Sequence, residues 1–213
     1  MPQAVLVLGT RSLAVDVMDL ISDMPGYEVV GFVENMDRSL AGSELEGRPV
    51  VWIDDLAPLA ATHVGVCALS TTRRRGFVEQ ARAHGLRFGT FVHPTARVSS
   101  RATLGDGCFV SAMAVVDTHT TLGRCVFVNR GALIGHHTQI GDYCTIQPGA
   151  NVAGAITIGC DTYIGMGAVV VDKLTIGRGC AIGAGSVVTR DVPDSAQVAG
   201  VPARVVRTAV GPK

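Results

Sequence analysis

The chain has 213 residues with 18 basic and 18 acidic side chains, so its formal net charge is zero; a nucleic-acid partner, which needs a basic excess, is not expected. Apolar residues make up 47% and charged residues 17%, enough for one large core or two small ones, while 26 glycines and only 5% aromatics point to a repetitive backbone. No apolar run reaches membrane-spanning length and "AVLVLG" (4–9) lacks the basic flank of a leader, so a soluble cytoplasmic protein with no membrane partner is expected.

Residues 1–90 alternate two kinds of signal. "AVLVLG" reads as a short buried strand ending in Gly, "SLAVDVMDLI" (12–21) has helical spacing, and "YEVVGFV" (27–33) is a second strand. "HVGVCAL" (63–69) is a third strand, and "TTRRRGFVEQARAHG" (71–85) a helix with Thr near its start and Gly at its end. Strands alternating with helices pair in parallel, so the spacing predicts an α/β, Rossmann-like N-terminal domain. In such sheets ligands bind at the carboxyl ends of strands, which selects Gly9, Thr10, Arg11 and Ser12 after the first strand and Glu34 and Asn35 after the second.

From Val92 the rhythm changes. Seventeen positions in steps of six, from Val92 to Val188, are all Val, Ile or Leu. Four residues after most of them stands something small, among them Ala96, Cys108, Ala114, Ala132, Thr138, Cys144 and Ala150, and Gly often follows directly. A helix would not carry so many glycines and β-branched residues. A six-residue unit of short strand plus turn, three of which close an 18-residue coil, predicts a hexapeptide-repeat parallel β-helix over 91–190, followed by a C-terminal segment, 191–213. Stacked coils place equivalent positions ~4.8 Å apart.

Cys108, Cys144 and Cys180 are spaced by two coils in the small slot, which is too far for a disulfide and suits packing better than nucleophilic chemistry. His137 lies one coil after His119, so the two should stack; His136 should lie over Thr118 and under Gly154. The histidine pair five residues apart that a zinc-dependent hydratase of this fold would need is absent, and no metal is expected.

The stretch "VNRGALIGHHTQIGDYCTIQPGANVAG" (128–154), the junction "HPTA" (93–96) and the terminal "GVPAR" (200–204) together resemble the left-handed β-helix acyltransferases related to sialic-acid O-acetyltransferase, including the N-acetyltransferases of nucleotide-linked amino sugars. That resemblance covers almost the whole chain and implies the handedness of the helix, a homotrimer with intersubunit sites, and acetyl-CoA as co-substrate. It implies His136 as general base with His137 beside it, Asn129 in the same site, and a Gly154 N–H facing the reacting acetyl group. It also implies a coenzyme A path near Thr145, Met166, Ala184 and Arg204. The chemistry is coherent: histidine, with an ordinary pKa of about 6.5, can take a proton from an amine or hydroxyl at neutral pH. A fixed glycine N–H can receive the oxyanion. Residues 166–213 carry Lys173, Arg178, Arg190, Arg204, Arg207 and Lys213 against three acidic residues, a local excess that suits coenzyme A phosphates and equally a solvated face.

Three departures from the family pattern stand out. Where an acidic residue usually follows the base, this chain has His137, with Asp117 and Asp142 as candidate substitutes. Where a second histidine often lies nine residues after the base, it has Thr145. The first-strand loop reads "GTRSLA" in place of a "G-x-x-GHG" pattern, and Arg11 suits either a phosphate or carboxylate grip or a plain exposed position. The expected activity is acetyl transfer to an amino or hydroxyl group of a small acceptor, a nucleotide-linked sugar foremost. The alternatives are a metal-dependent hydratase of the carbonic anhydrase type and a non-catalytic trimeric ligand-sensing scaffold.

Overall fold

A computed structural model describes residues 1–72 and 74–209; Arg73, inside the predicted helix 71–85, and Lys213 of the C-terminal basic group lie outside them. The first half is built from β1 (Gln3–Leu8), α1 (Ser12–Ser22), β2 (Tyr27–Glu34), β3 (Glu44–Leu45), β4 (Arg48–Trp52), β5 (His63–Cys67), α2 (Arg74–Ala83) and β6 (Arg87–Phe88). They form one sheet in the order β3-β4-β2-β1-β5-β6, parallel except for the β3–β4 hairpin. β4 escaped the sequence pattern because Pro49 and Arg48 interrupt its apolar signal. β1 is apolar on both faces because both are covered: Val5 and Val7 meet α1 through Ala14, Val17 and Ile21, while Leu6 and Leu8 meet α2 through Phe77, Val78 and Ala81.

From Phe91 the chain winds as a three-sided solenoid. Two-residue strands pair in parallel at a constant offset of one coil: Phe109 with Phe127 and Phe127 with Thr145, Val115 with Leu133 and Leu133 with Asn151, Thr121 with Gln139 and Gln139 with Thr157. The aliphatic residue of each unit points inward, and Val110, Val116, Leu122, Val128, Ile134, Ile140 and Ile146 are at most 3% exposed. Each such side chain contributes ~1.5–3 kcal/mol by leaving water. In the small slot, the hydroxyls of Thr120, Thr138 and Thr162 donate to Gly135, Ala153 and Gly177 carbonyls, at 2.8, 3.2 and 2.8 Å. The thiols of Cys108 and Cys144 fill the same slot against Gly123 and Gly159 carbonyls, and burial pushes both up to about 12, far from any nucleophilic role. The segment after residue 190 adds an antiparallel hairpin, Gln197–Gly200 with Ala203–Arg207, to the end of one solenoid sheet.

The three outer faces differ in chemistry. One carries Phe91, Phe109 and Phe127, stacked at centroid distances of 6.5 and 5.1 Å and buried beneath the N-terminal sheet and α1. A second carries Thr103, Thr121, Gln139, Thr157 and Thr175, a polar wall. The third carries Val115, Leu133, Asn151, Val169 and Val187, a stripe apolar but for Asn151, on which Leu133 is 42% exposed.

Arg74 locks the two halves together. Its fully buried guanidinium donates to the carbonyls of Cys125 (2.9 Å) and Thr71 (2.7 Å), to the Thr145 hydroxyl (2.6 Å), and to the Cys144 carbonyl. Desolvation pulls its pKa below the ordinary arginine value, yet neutral oxygens alone hold the charge. Arg75 adds a bidentate bond to Asp161 and lies 4.1 Å from the Tyr143 ring centre, and the Tyr143 hydroxyl donates to Glu79. At the junction, His93 Nε2 meets Asp23 at 3.2 Å and Nδ1 meets Thr95 at 2.9 Å, so "HPTA" ties the end of α1 to the first coil. Replacing Arg74 by Met strands four buried acceptors, so Arg74→Met is expected to lower stability by about 3–5 kcal/mol. Thermal unfolding checks this; an unchanged Tm would remove Arg74 from its linking role.

Candidate active site

The 18-residue offset makes each solenoid corner a column of stacked residues. One corner joins the apolar face to the polar wall and carries Thr118, His136, Gly154 and Asp172 in one column, with His119, His137, Ala155 and Lys173 in the next. The predicted stacking is present: the rings of His119 and His137 lie 4.9 Å apart, centre to centre. His136 meets His137 edge-on at 5.2 Å, and the two Nδ1 atoms are 3.1 Å apart.

Above His136 sits Gly154, and its lack of a side chain is what admits the ring. A Cβ at Gly154 would fall 2.7 Å from both Cε1 and Nε2 of His136. His136 Nε2 therefore lies beside the Gly154 backbone, and among the described residues the Gly154 N–H donates to no partner. A proton acceptor and a free, rigid N–H donor thus adjoin one another on an accessible corner. That pair of functions is what addition to a carbonyl carbon requires.

Neither carboxylate considered as an orienting partner reaches His136. Asp117 accepts from the Thr118 N–H at 2.8 Å and stands 3.7 Å from Arg97. Asp142 lies on another corner, where the Arg124 N–H and guanidinium bind it at 2.8 and 2.9 Å. Burial tends to raise the Asp142 carboxyl, but those Arg124 contacts outweigh it and hold its pKa below the ordinary range. His137 is the ring partner of His136 that the structure provides. Among the described residues no three His, Cys, Asp or Glu side chains are arranged to hold a metal ion.

The other expected residues separate into three groups. Met166 and Ala184 stack on the corner at the far end of the apolar face, both exposed, and the hairpin carries this column on: the Gly200 N–H donates to the Ser186 hydroxyl at 3.2 Å. Arg204 follows on that hairpin, exposed, lining a small pocket with Arg190. Asn129 belongs to the Met166 corner, not to that of His136; the strand Leu133–Ile134 separates them within one chain. Asn129 is buried, its amide donating to Gln147 at 3.4 Å, while Gln147 donates to the Ser70 carbonyl at 3.1 Å. Thr145 requires a correction. Its side chain is fully buried and its hydroxyl is taken by Arg74, so it cannot touch a coenzyme on this surface.

In the N-terminal half, five of the six expected residues come together. Gly9, Thr10, Arg11, Glu34 and Asn35 line a cavity of about 90 Å³ at the carboxyl ends of β1 and β2, where the chain switches direction across the sheet. Ser12 opens α1 instead and stands exposed outside it. Gly9 is required there, with φ +116° and Leu69 Cδ1 only 3.2 Å from where a Cβ would be. Glu34 is not a free contact residue. One carboxylate oxygen accepts N–H groups of Asn35 (2.9 Å) and Met36 (2.7 Å), and the other accepts the Thr10 hydroxyl. Burial tends to raise the Glu34 carboxyl, but the Thr10 and backbone bonds outweigh it and hold its pKa low. Its bonds therefore hold the loop above the ordinary carboxylate range and release it only as pH falls through that depressed value.

A family model for bacterial transferase hexapeptide (six repeats) matches residues 119–154 and 155–190. No curated protein sequence matches the chain. Among solved structures, the acetyltransferase domain of PglB from Neisseria gonorrhoeae in complex with acetyl coenzyme A is 30% identical, with 97% of this chain and 100% of that one covered, at a TM-score of 0.88. A histidine-to-asparagine variant of perosamine N-acetyltransferase from Caulobacter crescentus, in complex with CoA and GDP-perosamine, is 29% identical over 96% of this chain and 97% of that one, at 0.87. WeeI from Acinetobacter baumannii is 27% identical over 95% and 99%, at 0.85. Repeat, coil geometry and end-to-end likeness agree, and the chain belongs to the hexapeptide-repeat bacterial transferases of left-handed β-helix type, among their sugar acetyltransferases.

Proposed function

We propose that this protein transfers an acetyl group from acetyl-CoA directly to an amino or hydroxyl group of a nucleotide-linked sugar, in the cytoplasm, with His136 as general base. The observation that carries the reading is the His136 imidazole lying against Gly154, a base beside a free N–H. Structures similar along their full length, one with acetyl coenzyme A and another with CoA and GDP-perosamine, support the substrate classes. In the step itself, the acceptor's lone pair forms a bond to the thioester carbonyl carbon while its proton passes to His136 Nε2. The oxyanion faces the Gly154 N–H; its collapse breaks the C–S bond, and the departing thiolate takes the proton from His136. Protonation of His136 removes the base, so activity should fall on the acid side.

The working site is proposed to lie between copies of the chain in a homotrimer. Two observations support this. Met166 and Ala184 stand on a different corner from His136, and the face joining the two corners is the apolar stripe around Leu133. Apposing that stripe to a neighbouring chain would hide apolar surface and bring the Met166 corner of one copy to the His136 corner of the next. The N-terminal half is read as a Rossmann-like acceptor domain, with Arg11 and Asn35 toward the acceptor and Glu34 shaping their loop.

His136→Ala is expected to lower kcat by ~10²–10⁴-fold, with coenzyme A binding and the fold retained. Gly154→Ala should do nearly as much, since the new methyl displaces the ring; steady-state kinetics beside calorimetric coenzyme binding decide, and near-normal turnover of either variant would sink the base assignment. Leu133→Arg should convert the trimer to monomer and abolish turnover together, as read by light scattering and activity; an active monomer would place the whole site in one chain. Arg11→Ala should raise the acceptor KM and leave that for acetyl-CoA unchanged, whereas equal KM values with the wild type would move the acceptor elsewhere.

A further inference from the structure

The Nδ1 atoms of His136 and His137 are 3.1 Å apart, and between two neutral imidazoles such a contact exists only if one ring donates its Nδ1–H and the other accepts with an Nδ1 lone pair. The tautomers of the two rings are therefore locked to each other. Because His136 Nε2 is the nitrogen beside Gly154, one of the two arrangements leaves a base there and the other leaves a proton. Resting on the reading of His136 as base, we propose that His137 is a positioning residue that accepts the His136 Nδ1–H, thereby keeping His136 Nε2 unprotonated at Gly154 and taking a share of the proton gained during transfer. The role filled elsewhere by a carboxylate is here filled by a neutral, titratable ring.

The surroundings fit this assignment. His137 cannot turn away freely, because the His119 ring covers its other side at 4.9 Å. Other charged groups of this corner are committed or distant in the stack. Asp117 serves Thr118 and Arg97; Asp172 and Lys173 stand 3.6 Å from one another, beyond Gly154 and Ala155; Arg101 precedes His119 in its column. A proton added to the pair sits on His136 or His137, and in either case His136 Nε2 carries a hydrogen. A second proton would put hydrogens on both facing Nδ1 atoms and break the contact by like-charge repulsion. The first proton added to the pair therefore silences the base.

The test combines ¹⁵N NMR of the labelled full-length protein with kinetics of three variants. In the wild type at neutral pH, His136 should show a protonated Nδ1 and a bare Nε2, and His137→Ala should mix the two His136 tautomers. The same variant should lower kcat by roughly 10- to 100-fold with acetyl-CoA KM unchanged. His137→Asn restores an acceptor oxygen near the old Nδ1 position and tolerates φ +55°, so it should recover much of the rate lost in the alanine variant. His137→Glu should move the acid limb of kcat to higher pH, because a carboxylate favours the imidazolium. A wild-type His136 protonated on Nε2, an asparagine variant as slow as alanine, or a glutamate variant with an unmoved acid limb would each overturn the proposal. The tautomer measurement needs no turnover, so its failure is separable from failure of the transferase reading.

Discussion

The site depends on one constraint: the interior of the solenoid accepts an aliphatic side chain every six residues, and the coil therefore closes at 18. Val116, Ile134 and Val152 lie on a single line because their strands pair in that register, and the hydrogen bonds between coils hold them there. Every outward residue inherits its neighbours from that count. His119 is under His137, and His136 is under Gly154, only because the inward positions between them never slip. A one-residue insertion in any coil would exchange inward and outward side chains, exposing aliphatics worth ~1.5–3 kcal/mol each and scattering the corner.

That rigid interior leaves the three outer faces free to differ, and the difference organises the molecule. Phenylalanines on one face bind the N-terminal sheet through burial, and the α2 arginines and Glu79 fix the orientation through directional bonds to Cys125, Thr145, Asp161 and Tyr143. Threonines and a glutamine on another present hydroxyl and amide groups to water. The third face, with valines, a leucine and Asn151, is covered by no other element among the described residues. It runs between the corner carrying His136 and the corner carrying Met166, so in the proposed trimer one contact would cover it and bring the two corners together.

Much of this was legible in the sequence, and the limits have a physical pattern. The period alone gave the coil, the stacking of His119 on His137, and the inert cysteines. Strand-end logic selects Gly9, Thr10, Arg11, Ser12, Glu34 and Asn35, and all but Ser12 line one cavity. What periodicity cannot reveal is which face another element covers. The resemblance puts Thr145 on the coenzyme path, and it is sealed by an arginine 71 positions earlier in the chain. Asn129 reads as a neighbour of His136 in sequence, while the strand between them sends it to another corner. Glu34 sits where a ligand contact belongs, yet its oxygens are consumed by its own loop, a choice made by Thr10 and three backbone groups that no pattern displays. The hairpin after 196 depends on pairing with a coil, not on a motif of its own.

One signal in the sequence carried more than its spacing. Each corner needs a residue in the left-handed region, and at the corner of Met166 the chain uses Met113 and then glycine, at 131, 149, 167 and 185, over four successive coils. At the histidine corner it uses His119, His137, Ala155 and Lys173 in the same conformation, with φ between 55° and 60°. At the corner under α2, Cys125, Tyr143 and Asp161 do likewise. A side chain in that region costs ~1–2 kcal/mol relative to its ordinary conformation, and glycine would remove the cost at each position. At some of these positions the side chain makes a specific contact: Tyr143 and Asp161 hold Glu79 and Arg75, and His137 meets His136. Met113 and Ala155 share the conformation, so strain by itself assigns no role; at His137 it coincides with a specific contact, the 3.1 Å approach of its Nδ1 to that of His136.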